Sequence, residues 1–449
     1  MPADSPLSLF STAEMTSIFS PQRQLRSMIR FEWALSSALE ASGIAPKGAA
    51  SAIEPFLEAD FLNAVILWAD ARHAGNVAIP FVRDLTAAVR AKDEKAARFV
   101  HFGATSQDVL DTALVLQMRD ALNLISAAIS RLEQALVGLI ERHRNTILAG
   151  RTWLQDGPPV TLGLKVAGWL DALRRHHQRL ASVRKRALVL QFGGPVGTLS
   201  ALGDIGPAVS RHLAKQLDLV EPAIPWHTHR DNLIEVATSL GLLTGTLGKI
   251  ARDVSLLMQN EVGEASEPTA EGRGGSSTMP HKQNPVASSL VLAASMRAPG
   301  LIATLLTAMV QEHERGLGGW QAEWETLPEL FCLAAAALLR TVEIAEGLTV
   351  DEKRMLANIE TTRGLIFAER ISAALVESLG RARAHELLEE ATRRARRENK
   401  HLREVLLDTP EVCRHLSSAE LDRLFDPRSY AGSAATFIDR VLGGRDAAG

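Results

Sequence analysis

Two long apolar stripes with helical spacing restrict the fold of this sequence more than any other feature. Apolar residues recur at steps of three and four from Leu114 to Ile140, and again from Leu233 to Leu257. Such spacing places each set on one helix face, and at 1.5 Å per residue the second stripe alone spans about 36 Å. Helices this long pack against others of similar length. The sequence therefore predicts an all-α fold with a long central helix bundle.

The stripes also suggest three domains. Before them, short helical segments are separated by breakers such as Gly43 and Pro46, without the two-residue alternation of strands. After about residue 349 the charge density rises and the segments shorten. We expect an N-terminal helical domain over 1–108, a long-helix domain over 109–348 and a C-terminal helical cap domain over 349–449.

Composition argues against several classes of function. A formal net charge of -3 over 449 residues, with both signs abundant, gives no reason to expect nucleic acid or a membrane surface as partner. Cys332 and Cys413 form no metal or redox pattern. No export signal is evident, and charges are expected to interrupt apolar stretches before they reach membrane-spanning length. We expect a cytoplasmic protein.

The loop from Gly274 to Pro285 carries the densest chemistry. It has a glycine lead-in, adjacent hydroxyls at Ser276 and Ser277, and then Lys282 and Asn284. Glycines let backbone amides converge on an anion, while the lysine adds a positive charge and the asparagine an amide donor. The loop therefore offers an oxyanion site beside a hydroxyl, although its local sequence also fits an ordinary polar connection between helices.

Three further segments carry candidate groups. The motif 101–108, His-Phe-Gly-Ala-Thr-Ser-Gln-Asp, precedes a long helix, where free N–H groups suit either an anion or a simple cap by Ser106 or Asp108. The segment 150–155 reads Gly-Arg-Thr-Trp-Leu-Gln. Arg315 presents a planar fork suited to a carboxylate, or else pairs with a neighbouring glutamate, Glu312 or Glu314.

Two histidine pairs are interpreted without a catalytic role. His227 and His229 lack a third metal ligand at suitable spacing, so a loop or helix-entry position is favoured. His176 and His177 lie among arginines, and we expect them to face solvent or a neighbouring subunit.

Together these motifs resemble the signature regions of the fumarase/aspartase superfamily, most closely its adenylosuccinate-lyase-like branch. The loop matches Gly-Ser-Ser-x-x-Met-Pro-x-Lys-x-Asn-Pro, and the helix start matches His-x-Gly-x-Thr-Ser-x-Asp. The resemblance implies a homotetramer with a twenty-helix core, five helices from each chain, and active sites to which three subunits contribute. By the same carry-over, the catalytic candidates are Ser276, with Ser277 as the alternative, and Lys282. The substrate-binding candidates are His101, Thr105, Ser106, Arg151, Trp153, Gln155, Asn284 and Arg315.

Two departures from the superfamily pattern narrow the predicted reaction. Trp153 stands where relatives carry the general-acid/base histidine, and Ser289 stands where they carry its glutamate partner. Expelling an amine or hydroxide requires a proton donor, whereas a carboxylate with a pKa near 4 does not. We therefore expect lactonisation of an unsaturated polycarboxylate, as in the bacterial cycloisomerases that the 150–155 string resembles. No metal or organic cofactor is expected, because the nucleophile lies within the substrate.

Three alternatives stay open. A sulfonated analogue of the polycarboxylate would meet similar donors. A fumarate-releasing lyase is disfavoured by Trp153 and Ser289, and a non-catalytic superfamily member is disfavoured by the intact serine, lysine and asparagine of the loop.

Overall fold

The structure is a computed structural model that describes residues 6–58, 61–269, 274–275, 279 and 282–443. Helices dominate it, which confirms the all-α prediction. The helices are α1 Ala13–Ile18, α2 Pro21–Ala41, α3 Ala49–Ile53, α4 Ala64–Ala74, α5 Ala78–Arg90, α6 Glu94–Ala97, α7 Ser106–Arg142, α8 Leu162–Ala187, α9 Gly206–Leu217, α10 Asp231–Leu257, α11 Val286–Ala308, α12 Gly319–Gly347, α13 Glu352–Thr361, α14 Ala368–Leu379, α15 Arg381–Glu398, α16 Leu402–Leu407, α17 Pro410–Cys413, α18 Ser418–Leu424 and α19 Ala434–Leu442. The strands are β1 Ile147–Thr152, β2 Gln155–Thr161, β3 Ala265–Ser266 and β4 Thr349–Val350.

The two apolar stripes lie on two of the longest helices. The first belongs to α7, which runs for 37 residues, and the second to α10, which runs for 27. Ile129, Leu136 and Leu240, which belong to these stripes, have no exposed surface. The predicted helix faces are therefore buried, as the spacing of three and four requires.

One compact unit, called the first unit here, comprises the described residues within 1–129, 175–248 and 290–339. Its core contains the buried rings of Phe31, Phe81 and Phe192 together with apolar residues of α2, α5 and α9. Within it α2 packs against α3 and α9. This core supports the beginning of α7, where the first candidate site motif lies.

The second unit comprises the described residues within 130–174, 249–289 and 340–449. Strands β1 and β2 form an antiparallel hairpin in it, and β3 pairs antiparallel with β4. Its separate core joins Ile147 of β1 to buried residues of the C-terminal helices, such as Phe367 and Leu388. The hairpin is therefore anchored at its base. The division into three domains at residues 108 and 348 stays a prediction.

Two helices, α10 and α11, are long and apolar enough to pass for membrane spans by length and composition. Charges nevertheless interrupt both, with Glu235 and Lys249 in α10 and Arg297 in α11. The most apolar window of α10 is 61% buried inside the protein, whereas that of α11 is only 22% buried. The first is accordingly a core helix, and the second leaves an apolar face uncovered within one chain.

The expectation that His176 faces solvent or a neighbouring subunit is wrong. His176 is buried on α8, with Nε2 lying 2.7 Å from the Thr246 hydroxyl and Nδ1 2.7 Å from Arg179. Burial and then the charges of Arg179 and Arg175 lower the pKa of His176 to about 4. A neutral ring at this position is part of the first unit's packing.

Candidate active site

The turn before α7 is held by one buried carboxylate, that of Asp108. It accepts hydrogen bonds from the backbone N–H groups of Thr105 at 3.0 Å, Gly193 at 3.1 Å and Gly194 at 2.9 Å. His227 Nε2 lies 2.7 Å from the same carboxylate, and both side chains are buried. The local sequence allowed a cap by Ser106 or by Asp108. The structure shows the bond from the Thr105 N–H to Asp108. His227 lies in the connection before α10, as expected.

His101 lies just before this turn and is fixed by Glu32 of α2. Glu32 Oε2 accepts the His101 backbone N–H at 2.9 Å, and Oε1 lies 2.6 Å from the ring Nδ1. Burial lowers the pKa of His101, but the charge and hydrogen bond of Glu32 and the charge of Asp108 outweigh it and raise the pKa above 6.5. The site therefore favours a positively charged imidazolium.

Arg315 reaches the same helix start. Its Nη1 donates a hydrogen bond to Thr105 Oγ1 at 2.9 Å, and its guanidinium lies 5.6 Å from the centroid of the Trp320 ring. In the described part of the chain it makes this bond rather than an ion pair with Glu312 or Glu314. Thr105 and Arg315, both predicted from sequence as substrate ligands, are thus brought together beside an aromatic face.

Sequence reasoning missed a fully buried ionic network next to this cluster. Arg230 donates to Asp111, with Nη1 2.6 Å from Oδ2, and to Glu323, with Nε 3.0 Å from Oε1. The side chains of all three are at most 2% exposed. Trp320 Nε1 also donates to Asp111 Oδ1 at 3.0 Å. The network therefore fixes the indole against which Arg315 lies.

Trp153 and Leu154 form the two-residue tip of the β1–β2 hairpin. Both have left-handed backbones, with φ of 54° and 63°, as in a two-residue type I′ turn. Thr152 pairs with Gln155 directly below the tip. Trp153 is 98% exposed and Leu154 is 75% exposed. The residue at the superfamily's acid/base position therefore stands in solvent in a single chain.

Arg151, one pair below the tip region of this hairpin, is already engaged by a buried carboxylate. Its guanidinium makes two parallel hydrogen bonds to Glu264, at 2.8 and 2.6 Å, and Asn358 Nδ2 donates to the same carboxylate at 2.8 Å. Gln155 is exposed, and its side-chain amide lies 3.5 Å from the Leu154 carbonyl. The bidentate pair fixes the tip end of the hairpin relative to the segment that leads into β3.

The signature loop is closed at its base. The backbone N–H of Asn284 donates to the Gly274 carbonyl at 2.9 Å, and its Nδ2 donates to the same oxygen at 3.3 Å. Gly274 has φ of 75°, where a side chain would also press on the Asn284 carbonyl. Lys282 and Asn284 line a cavity of about 800 Å³ with Gln259 and Asp351. Ser276 and Ser277 lie outside the described residues.

The helix that follows the loop, α11, begins on a carboxylate. Glu267 is buried and accepts the backbone N–H groups of Ala287 at 2.8 Å and Ser288 at 2.7 Å. Ser289, at the position where relatives carry the partner glutamate, is exposed, and its hydroxyl donates to the Val286 carbonyl. The α11 N-terminus is therefore already capped within the chain.

The predicted site residues thus occur in two described groups. The group in the first unit contains His101, Thr105, Ser106 and Arg315. The group in the second unit contains Arg151, Trp153, Gln155, Lys282 and Asn284. Within the described residues, no three His, Cys, Asp or Glu side chains are grouped to hold one metal ion.

Comparison with known proteins assigns the family. A family model described as Lyase matches residues 11–300, and one described as Adenylosuccinate lyase C-terminus matches residues 364–441. The 3-carboxy-cis,cis-muconate cycloisomerase of Pseudomonas aeruginosa is 51% identical over 98% of this chain and 96% of its own length. That of Bradyrhizobium diazoefficiens is 48% identical over 97% of this chain and 96% of its own.

A solved structure agrees. The crystal structure of the 3-carboxy-cis,cis-muconate lactonizing enzyme from Pseudomonas putida is 49% identical, covers 97% of both chains and superposes with a TM-score of 0.93. The fold, the matched signature regions and these relatives lead to one assignment. The chain belongs to the fumarase/aspartase superfamily and, within it, to the 3-carboxy-cis,cis-muconate cycloisomerase family.

Proposed function

We propose that this protein converts 3-carboxy-cis,cis-muconate to 4-carboxymuconolactone, a step in protocatechuate degradation through the β-ketoadipate pathway. The observation that carries the proposal is the 51% and 48% sequence identity, over nearly the full chain, to two 3-carboxy-cis,cis-muconate cycloisomerases. Trp153 supports it independently, because lyases that expel an amine or hydroxide need an acid at that position.

The reaction is an internal addition, so no atom is lost. One substrate carboxylate adds to the diene and forms the carbon–oxygen bond of the lactone. The displaced electron pair moves onto a distal carboxylate as an enediolate, and the adjacent carbon then takes a proton. In reverse, the leaving group is a carboxylate with a pKa near 4, which requires no protonation. No metal or organic cofactor takes part in this scheme.

Each residue group suits one part of this chemistry. His101, Arg315 and the hydroxyls of Thr105 and Ser106 supply donors and positive charge for substrate carboxylates. Lys282 and Asn284 would stabilise the enediolate, since donors placed where charge develops lower the barrier most.

The remaining roles complete the proposed site. Ser276 is proposed to donate the proton, with Ser277 as the alternative. Arg151 and Gln155 would bind substrate near the hairpin tip, and Arg151 would then share its guanidinium between Glu264 and the substrate.

A homotetramer with active sites shared between subunits is part of the proposal. Two surfaces support it. The α11 helix exposes Met296 by 69% and Leu306 by 48%, and the hairpin tip exposes Trp153 by 98%. Apolar surface of this kind is characteristic of an interface.

Light scattering should give four times the chain mass of 48.6 kDa. Met296→Glu should reduce both the mass and the turnover, and a fully active monomer would refute shared sites.

The deciding experiment follows ultraviolet absorbance of purified protein with 3-carboxy-cis,cis-muconate, with chelator present and no metal added. Loss of the conjugated-diene band, with a lactone identified by mass spectrometry, would establish the reaction. An unchanged spectrum with folded protein would refute the substrate. The sulfonated analogue and succinyl-amine substrates, the latter assayed for fumarate, then separate the alternatives.

A cytoplasmic location, with neither nucleic acid nor membrane as partner, accompanies this proposal.

A further inference from the structure

One buried carboxylate holds both the backbone and the ring of His101. Glu32 lies in the middle of α2, and its side chain has no exposed surface. One of its oxygens accepts the His101 backbone N–H at 2.9 Å, and the other lies 2.6 Å from Nδ1. Because the carboxylate can only accept, the proton in this contact resides on Nδ1.

The contact stabilises an unusual backbone. His101 has φ of 59°, a left-handed conformation that residues other than glycine adopt rarely. The hydrogen bond from its N–H to Glu32 helps to hold that conformation. The ring is thereby fixed at the edge of the first candidate group, with its side chain 16% exposed. Its Nε2 has no hydrogen-bond partner among the described residues.

We propose that Glu32 is a positioning residue for substrate binding: it holds His101 as an oriented, positively charged donor whose Nε2–H binds a substrate carboxylate. The proposal rests on the proposed function, because it takes a polycarboxylate as the ligand. It assigns a role to a residue of the N-terminal segment that no motif singled out.

The charges around His101 leave Glu32 as its direct partner. Two carboxylates face the ring, Glu32 from α2 and Asp108 from α7. Asp108 already accepts hydrogen bonds from the turn before α7 and from the 193–194 segment, and it contacts His227. Removing the charge of Glu32 should therefore lower the pKa of His101, because burial would then prevail.

The first test compares Glu32→Gln with wild type by the dependence of KM and kcat on pH. In wild type, KM should rise with pH as His101 loses its proton, because the neutral ring attracts an anion less. In Glu32→Gln the rise in KM should begin at lower pH. Near pH 7.5 the KM of the variant should be about tenfold higher than that of wild type, which corresponds to the loss of one charge-assisted hydrogen bond. Its kcat should stay within about twofold of the wild-type value. Superimposable KM profiles would overturn the proposal.

A matched control lies on the same helix. Glu40 also accepts a backbone N–H, that of Ala50, but lies outside this cluster. Glu40→Gln should leave the KM profile unchanged. If Glu32→Gln does not fold, Glu32→Asp replaces it. That variant keeps the charge, so KM should rise while its pH dependence stays as in wild type, and a shifted profile would count against the proposal.

The second test needs no substrate and so separates this inference from the proposed function. Melting temperatures are measured for Glu32→Gln, His101→Gln, the double variant and wild type at about pH 6 and pH 9. A raised His101 pKa gives stability that is present below the unfolded pKa and is lost as pH rises through the folded pKa. The non-additive part of the melting shift should therefore be larger at pH 6. Equal coupling at both values would overturn the positioning role, even if no lactone forms in the first test.

Discussion

The two groups of candidate residues differ in how complete they are within one chain. At the start of α7 the buried charges have partners: Asp108 accepts from three backbone N–H groups, and Arg230 pairs with two carboxylates. At the hairpin tip Trp153 is almost wholly exposed. A fully paired buried network stabilises the folded chain by itself. An exposed aromatic tip contributes stabilisation only when a partner surface or a ligand covers it. One group is therefore built by folding, and the other should be completed by assembly or substrate.

The largest expected effect on activity belongs to Ser276, in the loop that also carries Lys282 and Asn284 of the second group. Ser276→Ala should lower kcat by about a thousandfold, since it removes the proposed proton donor. The tetramer mass and the melting temperature should not change. Ser277→Ala is the matched control and should lose less activity. Near-normal turnover in Ser276→Ala would remove that residue from the mechanism.

The largest expected effect on stability belongs to the first group. Arg230→Met leaves Asp111 and Glu323 buried without their cation and should lower the free energy of unfolding by about 3–5 kcal/mol, measured by denaturant titration. Arg186→Met removes an exposed pair with Glu235 and should leave the midpoint unchanged. Equal losses of unfolding free energy in the two variants would mean that the buried network stabilises the first unit no more than an exposed ion pair does.

An intermediate effect is expected at the hairpin tip. Trp153→Ala should reduce kcat/KM by about tenfold, the worth of one aromatic contact, without lowering the melting temperature of the isolated chain. Trp153→His should not improve lactonisation, because no acid is needed. A large gain on restoring the histidine would contradict that reasoning.

The smallest expected effect tests the strain in the same turn. Leu154 has φ of 63°, which glycine adopts more readily. Leu154→Gly should raise the free energy of unfolding by no more than about 1 kcal/mol, offset in part by the greater freedom of the unfolded chain. A clear loss of stability would show that Leu154 makes packing contacts which its 75% exposure does not suggest.

The helices were the most predictable part of the molecule. The stripe from Leu233 to Leu257 coincides with α10 to within two residues, because periodic burial acts on every turn of a long helix. The hairpin was not foreseen. Its turn residues, Trp153 and Leu154, are not the Asn-Gly or Gly types that usually mark such turns, and β2 contains Pro158 and Pro159, which disfavour strands.

The site residues were named from contiguous motifs, and their roles stay a prediction. Thr105 and Arg315, each named from the resemblance as a substrate ligand, lie in hydrogen-bond contact although 210 residues separate them. The Arg230 network escaped detection because its members lie 93 and 119 residues apart, and no local pattern joins them. The available signal in the sequence was Asp111, a charged residue close to an apolar helix stripe, since a charge buried there needs a partner.

The buried cap at Asp108 also bears on how the chain is made. Its partner His227 is 119 residues further along the sequence. At roughly 5–20 residues per second, a ribosome needs about 6–24 s to add that stretch. During this interval the Asp108 carboxylate can already accept from Thr105, Gly193 and Gly194, but it lacks the imidazole of His227. The cluster around Asp108 is therefore completed only when about half of the chain has been made, and a pause before residue 227 should leave the start of α7 more open to proteolysis.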